Sequence, residues 1–256
     1  MEDRFIDRLA RHLTRRAALL LGAALPAIAA ATPAQPDAAA TPDTAQDFGY
    51  KILWFAVRAP DPQTVAAALQ ATAAKPANWA TGLAAAYAAL KSKPATAFIS
   101  PAVDGWVFII STALPYPAIE GESAKTTGRK FEQLVQRLTS NFAEVQFFGS
   151  YRVINFVAWA RYVAGQPTRV FAMADEVLVN IGTQTAEEAR LGFTDISGLN
   201  AQAASARLFS EGGRLPDEDD VLQLATAWSL DPSRLSERPR PAALGLLLNW
   251  PDEWAG

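Results

Sequence analysis

Residues 149–182, GSYRVINFVAWARYVAGQPTRVFAMADEVLVNIG, are the densest run of β-branched and aromatic residues in the chain. Two short breaks, Ala164-Gly165-Gln166-Pro167 and Ala174-Asp175, divide it into segments 151–163, 168–173 and 176–181. Breaks this short leave no room for a crossover helix, so consecutive segments have to pair as antiparallel neighbours. With AEVQFFGS just before it, the run predicts a β-meander at the centre of a sheet. Strand alternation over 151–162 puts Ile154, Phe156, Ala158 and Ala160 on one face, and Asn155 and Arg161 among Val153, Val157 and Trp159 on the other. The first face calls for a helical cover worth about 1.5–3 kcal/mol per large side chain. The second, mixed face nominates Asn155, Trp159 and Arg161 as candidate partner-binding residues. Alternation turns Arg152 away from Asn155 and Arg161, so the arginines of this region do not converge automatically.

The rest of the chain alternates between helical and strand-like patterns. After the strand-like YKILWFAVR at 50–58, Asp61-Pro62 signals a helix start that extends to about Ala74. Asn78 then caps a second helix, with Trp79, Leu83, Tyr87 and Leu90 on one face. Joined through Lys75-Pro76-Ala77, the two read as an antiparallel helix pair. Residues 95–112 carry two β-rich runs around an Asp104-Gly105 turn, a hairpin signature in which Asp104 serves the backbone. Thr127 opens a helix with Phe131, Leu134, Val135, Leu138 and Phe142 on one stripe. Thr185 with Glu188 reads as a capping box, and Gly192 ends that short helix. The acids Asp217 to Asp220 fail the calcium-loop pattern, with Leu222 where Gly is required and Trp228 where the closing Glu is required, so Asp217 is read as a helix cap. The predicted fold is α+β: a mainly antiparallel sheet of about six or seven strands, with helices packed mostly on one face. One domain spans 48–256, with a helical C-terminal extension whose tryptophans cover the core.

The 256-residue chain has no cysteine and one histidine, His12. Beyond the first 31 residues it therefore has neither, which removes disulfides, thiol nucleophiles, nitrogen- or sulfur-ligated zinc and any Ser-His-Asp triad. No cofactor or metal is expected. An enzyme would have to work through carboxylates or a Ser-Lys pair, and the sequence holds no Ser-x-x-Lys, Gly-x-Ser-x-Gly or glycine-rich phosphate loop.

The N-terminal residues carry an address. Five arginines precede an uncharged Ala- and Leu-rich run from Ala17 to Ala31, 15 residues and shorter than the roughly 20 that span a bilayer. The stretch Thr14-Arg15-Arg16-Ala17-Ala18-Leu19-Leu20 resembles a twin-arginine (Tat) export signal, although Ala18 stands where Phe or Leu is commonest. The resemblance implies an export signal over 1–31, with Arg15 and Arg16 as its recognition pair, and a periplasmic or otherwise exported product; the alternative is a chain anchored by an uncleaved segment. Residues 32–47, rich in Pro, Ala and Thr, read as a linker. After residue 31 there remain 18 basic and 23 acidic residues, a net charge of −5, which argues against nucleic acid as a partner.

These features point to an exported protein that binds another macromolecule, with a protein as the expected partner and membrane contact confined to the N-terminal signal. The most specific form of this reading is an inhibitor or immunity-type protein that neutralises a toxin or hydrolase. Two alternatives stand beside it. One is a carboxylate-based hydrolase of envelope glycans, using two of Asp104, Glu120, Glu122, Glu144, Asp175 and Glu176. The other is a scaffold or carrier of a small apolar ligand, with an enclosed pocket near Trp106 or Trp159.

Overall fold

The computed structural model describes residues 38–250, apart from 72, 120 and 239, together with Trp254. Arg15, Arg16 and the rest of the proposed export signal lie outside the described residues, as does Glu120. The described residues form one compact unit. Its sheet has nine strands, all paired antiparallel: β1 Leu53–Arg58, β2 Ala74–Ala77, β3 Ala95–Ile99, β4 Trp106–Ser111, β5 Glu144–Tyr151, β6 Phe156–Val163, β7 Gln166–Met173, β8 Val177–Ile181 and β9 Gly245–Trp250. The spatial order is β2-β9-β3-β4-β1-β5-β6-β7-β8. The α+β class holds, and the strand count is nine instead of six or seven.

The predicted meander is present as β5 to β8. The segment read as one strand over 151–163 is, however, broken by a turn at Arg152–Ile154, so β6 starts at Phe156 and Ile154 is exposed on the turn instead of lying on the apolar face. The hairpin forms as read: Val103 and Trp106 exchange backbone hydrogen bonds of 2.8 and 2.9 Å across Asp104 and Gly105. These have φ of 51° and 81°, the pair of positive values that a two-residue type I′ turn demands.

Among the described residues, six α-helices of five or more residues frame the sheet: α1 Pro62–Ala68, α2 Trp79–Ala88, α3 Arg129–Thr139, α4 Ala186–Arg190, α5 Ala201–Ser205 and α6 Glu218–Trp228. An irregular helical lead-in, Gly121–Ser123 and Ala124–Gly128, runs into α3. These helices cover both faces, which corrects the one-sided expectation. On one face α1 and α3 bring Val65, Phe131, Leu134 and Leu138 onto Phe55, Ile109 and Phe147. On the other, α2, α5 and α6 bring Trp79, Leu83, Ala204, Val221, Leu224 and Trp228 onto Trp54, Phe108, Phe148 and Trp159. Alternate residues of one strand thus enter different cores, and neither face of β6 is left open along its centre.

Three further expectations are corrected. The helix from Asp61 stops at Ala68, and Ala74–Ala77 is an edge strand paired with β9, so there is no helix pair. Pro76 is tolerated there because an edge strand need not donate on both sides. In α2 the buried stripe is Trp79, Gly82, Leu83 and Ala86, whereas Tyr87 is exposed, as is Leu90 in the 3₁₀ turn Ala89–Lys91 beyond its end. The small residues, weak as hydrophobic markers, are the ones that let this helix approach Phe98 closely. The C-terminal extension is strand β9, inserted between β2 and β3 with Trp250 fully buried.

Residues 38–47 do not behave as a free tether. Asp43 accepts the backbone N–H groups of Trp79 and Ala80 at 2.6 and 3.0 Å, and Asn78 Nδ2 donates to the Thr41 carbonyl at 2.9 Å. Among the described residues no helix is long and apolar enough to cross a membrane.

Candidate functional site

At the end of the sheet where β1 starts, β5 finishes and β6 begins, the surface opens into a cleft of about 520 Å³. Pairing of Leu53 with Gly149 and of Tyr151 with Phe156 brings these strand ends together. The N-terminus of α6 lies across them. Its position is fixed by its own sequence: Asp217 accepts from the backbone of Asp219 and Asp220 while Asp220 accepts from that of Asp217, a reciprocal capping box. The opposite wall comes from a π-helical turn, Ala206–Ser210, which presents Phe209, and from Leu215-Pro216 ahead of the cap.

The lining combines apolar and charged groups. Tyr50, Phe209 and Leu215 are large hydrophobic side chains left partly exposed, beside Lys51, Arg152, Asn155, Asp217, Glu218 and Asp219. Tyr50 donates its hydroxyl to Asp219 at 2.9 Å, and Tyr87 donates to the Tyr50 carbonyl at 3.2 Å. The hydrogen bond to Asp219 is the main cause that raises the Tyr50 phenol above the ordinary tyrosine value, with burial adding to it. Ser150 donates to Glu218 Oε1 at 3.1 Å, and Arg152 approaches Glu218 Oε2 at 3.8 Å. Lys51 and Asn155 sit at the rim with φ of 54° and 51°. Left-handed backbone is strained for lysine, and such residues concentrate where a surface is held in a required shape.

The three residues nominated on the outer face of β6 end up in three environments. Asn155 closes the β5–β6 turn and lines the cleft. Trp159 is 1% exposed, packed between Phe171 and Phe193 with its Nε1 donating to Glu188 at 2.9 Å. Arg161 lies toward the far end of the strand, paired with Glu144 at 2.8 Å and over the ring of Trp228 at 5.8 Å. The common face fails because residues 183–228, which carry no strand signal, fold over it. Tyr50, Lys51, Phe209, Leu215 and Glu218 were missed; their convergence rests on pairings across more than half the chain, and local patterning carries no trace of it.

None of the described carboxylates proposed for hydrolysis lines the cleft. Asp104 is held by Arg238 and Arg240, Glu122 by Lys125, and Glu144 by Arg161. Asp175 and Glu176 occupy the exposed β7–β8 turn, at the opposite end of the eight-residue β6 from Glu144. That strand length separates them by about 25 Å. The cleft's own acids are engaged as a helix cap, as the acceptor of Ser150 and as the acceptor of Tyr50. Among the described residues no group of three or more His, Cys, Asp or Glu is placed to hold a metal ion. The carrier reading is served no better: Trp106 is buried beneath Arg58, and the cavity beside Trp159 is about 20 Å³, room for a single water.

Comparison of the chain with protein-family models, with curated proteins and with solved structures returned no match.

Proposed function

We propose that this is an exported macromolecule-binding protein whose cleft between the β5–β6 turn and the start of α6 receives a segment of a protein partner. The observation that carries the reading is the rim itself. Tyr50, Phe209 and Leu215, joined by Val153 and Ile154 on the adjoining turn, are large apolar side chains held in partial exposure around charged groups. Exposed apolar groups clustered beside polar ones are the usual composition of a contact surface, and aromatic anchors provide most of its energy. In the finer form of the proposal the partner is a toxin or hydrolase met outside the cytoplasm, which the chain neutralises by occupying its surface. The net charge of −5 after residue 31 suits a partner with a basic face. The export step is supported by the Thr14–Leu20 pattern and the apolar run that follows it.

The test is co-purification of the full chain from its native cell envelope beside the Phe209→Ala and Leu215→Asp variants. A protein recovered with the parent chain and lost from both variants supports the proposal. Equal recovery by all three, or recovery of none, overturns it. For export, a reporter fusion with R15K and R16K should lose translocation, and undiminished translocation would sink the twin-arginine assignment.

A further inference from the structure

The connection between β5 and β6 has an unusual composition for a turn. Residues Arg152–Ile154 form one 3₁₀ turn, which Asn155 closes in the left-handed conformation. Turns of this size favour Gly, Asn, Asp, Ser and Pro, whose backbones or short polar side chains suit the reversal. Here the tip instead holds two β-branched aliphatic residues out of the core, with Val153 73% exposed and Ile154 partly exposed. Nothing in the local backbone asks for them, and in water they cost the protein burial it has available elsewhere.

The recess beside this tip has matching chemistry. Phe209 and Leu215 are its apolar wall, and Glu218, its side chain 12% exposed, lies at its charged edge. One oxygen of Glu218 accepts from Ser150, while the other is approached by Arg152 at 3.8 Å, beyond hydrogen-bonding range. The Arg152 side chain is 72% exposed. Within one copy the guanidinium and the carboxylate thus form only a long ion pair, without a hydrogen bond, and most of the Arg152 side chain stays exposed.

A protrusion carrying a cation and two aliphatic side chains, adjacent to a recess carrying an acid and two apolar walls, is complementary to itself under a two-fold rotation. In such an isologous contact each copy offers both halves. We propose that a second copy of this chain occupies the cleft. The Arg152–Ile154 turn of each chain enters the recess of the other, Val153 and Ile154 cover Phe209 and Leu215, and Arg152 pairs with the partner subunit's Glu218. The inference rests on the cleft being the binding site. It makes the dimer the resting form, in which the apolar rim is covered until a protein partner competes for it.

Sedimentation equilibrium of the full chain over a dilution series tests this. The parent chain should show a monomer–dimer equilibrium, and V153D should raise the dimer Kd roughly tenfold or more. R152E and E218R should each weaken self-association to a similar degree. Mixing equal amounts of R152E and E218R should restore dimers, because in the mixed pair both contacts between chains again join opposite charges. Contacts within each variant chain stay repulsive, so a folding defect or a purely intrachain role would not be rescued; unchanged circular dichroism keeps the comparison clean. A parent chain that stays monomeric, a dimer indifferent to V153D, or a mixture that fails to recover would overturn the proposal. A monomeric chain that still captures a partner through Phe209 and Leu215 leaves the proposed function standing. A dimer that captures nothing overturns that function alone.

Discussion

The Glu188 carboxylate meets the Arg169 guanidinium edge at 2.8 and 3.1 Å, both oxygens accepting from Nε, in a site where the two side chains are 1% and 3% exposed. Both members of the pair have further partners. Glu188 also accepts from Trp159 Nε1 at 2.9 Å and from the Thr185 backbone at 2.7 Å. Arg169 donates to Asn180 Oδ1 at 2.7 Å and to the Ile181 carbonyl at 3.1 Å. Asn180 in turn donates to the carbonyls of Ile196 and Leu199, each at 2.8 Å. The network fastens the segment after β8 onto β6 to β8, and that segment supplies Phe209 and Leu215 to the cleft. A side chain that began as a helix-capping signal therefore also positions one wall of the cleft.

Removing one partner of this network leaves the other as an uncompensated buried charge. Glu188→Ala is expected to cost about 3–5 kcal/mol, read as a fall in the urea midpoint with little change in the slope. The double variant R169M/E188M should recover part of the loss and no more. Trp159 Nε1 and the Thr185 N–H would still have no acceptor, and each buried orphan costs about 1–3 kcal/mol. A double variant as stable as the parent chain would show that the network contributes nothing beyond its bulk.

Gly82 lies where α2 crosses β3. A Cβ there would stand 2.2 Å from Phe98 Cδ2 and 2.4 Å from Cε2 and Cγ, and Phe98 is fully buried beneath Trp79. Alanine would gain about 1 kcal/mol of helix propensity, while overpacking of this kind costs about 1–3 kcal/mol. With a whole ring obliged to move, the cost wins. Gly82→Ala should lower stability by about 1–2 kcal/mol, measurable by thermal unfolding; a rise in the melting temperature would mean that α2 rides further from the sheet than described.

Local signals in the sequence reached as far as local physics does. The meander, the Asp104-Gly105 hairpin, the Phe131–Leu138 stripe and the caps at Asp61, Asn78, Thr185 and Asp217 each depend on a few consecutive residues, and each was legible. Strand β2, Ala-Lys-Pro-Ala, has no strand propensity and exists because β9 pairs with it, some 170 residues later in the chain. Strand β9 read as a helical tail because LGLLLN is a short apolar run, which periodicity alone cannot assign. The polar side of β6 looked like an exterior because Asn155 and Arg161 mark it. They turn out to be its two ends, with Val157 and Trp159 buried between them under residues whose placement depends on the Arg169–Glu188 pair. Of the candidate site, Asn155 alone was anticipated.

Asp43 anchors the segment that composition marks as a linker. Its carboxylate accepts from the first two N–H groups of α2, while its backbone pairs with Ala243. Asp43→Ala should cost about 0.5–2 kcal/mol, the range for loss of a helix-terminal acceptor. It should also open residues 38–47 to limited proteolysis before the remainder of the domain is cut. Unchanged cleavage kinetics would show that the rest of the segment holds it in place without Asp43.

The cleft carries its own pH reporter in Tyr50. The hydrogen bond to Asp219 requires the protonated phenol, and together with burial and the negative charge of Asp219, Asp231 and Glu218 it raises the tyrosine above its ordinary value. The sign follows from linkage. A group whose folded pKa lies above its unfolded value gives stability that is fully present below the unfolded value and is lost as pH rises through the folded one. Tyr50 should therefore ionise later than an unperturbed tyrosine in an alkaline absorbance titration, assigned by difference against Tyr50→Phe. Asp219→Asn should move it back toward the ordinary value, since the amide removes the charge and weakens the acceptor. Between the two pKa values the parent chain should lose stability with rising pH more steeply than Tyr50→Phe. A Tyr50 that titrates identically with Asp or Asn at position 219 would show that the hydroxyl and Asp219 do not meet in solution, and that this wall of the cleft is wider than the 2.9 Å contact implies.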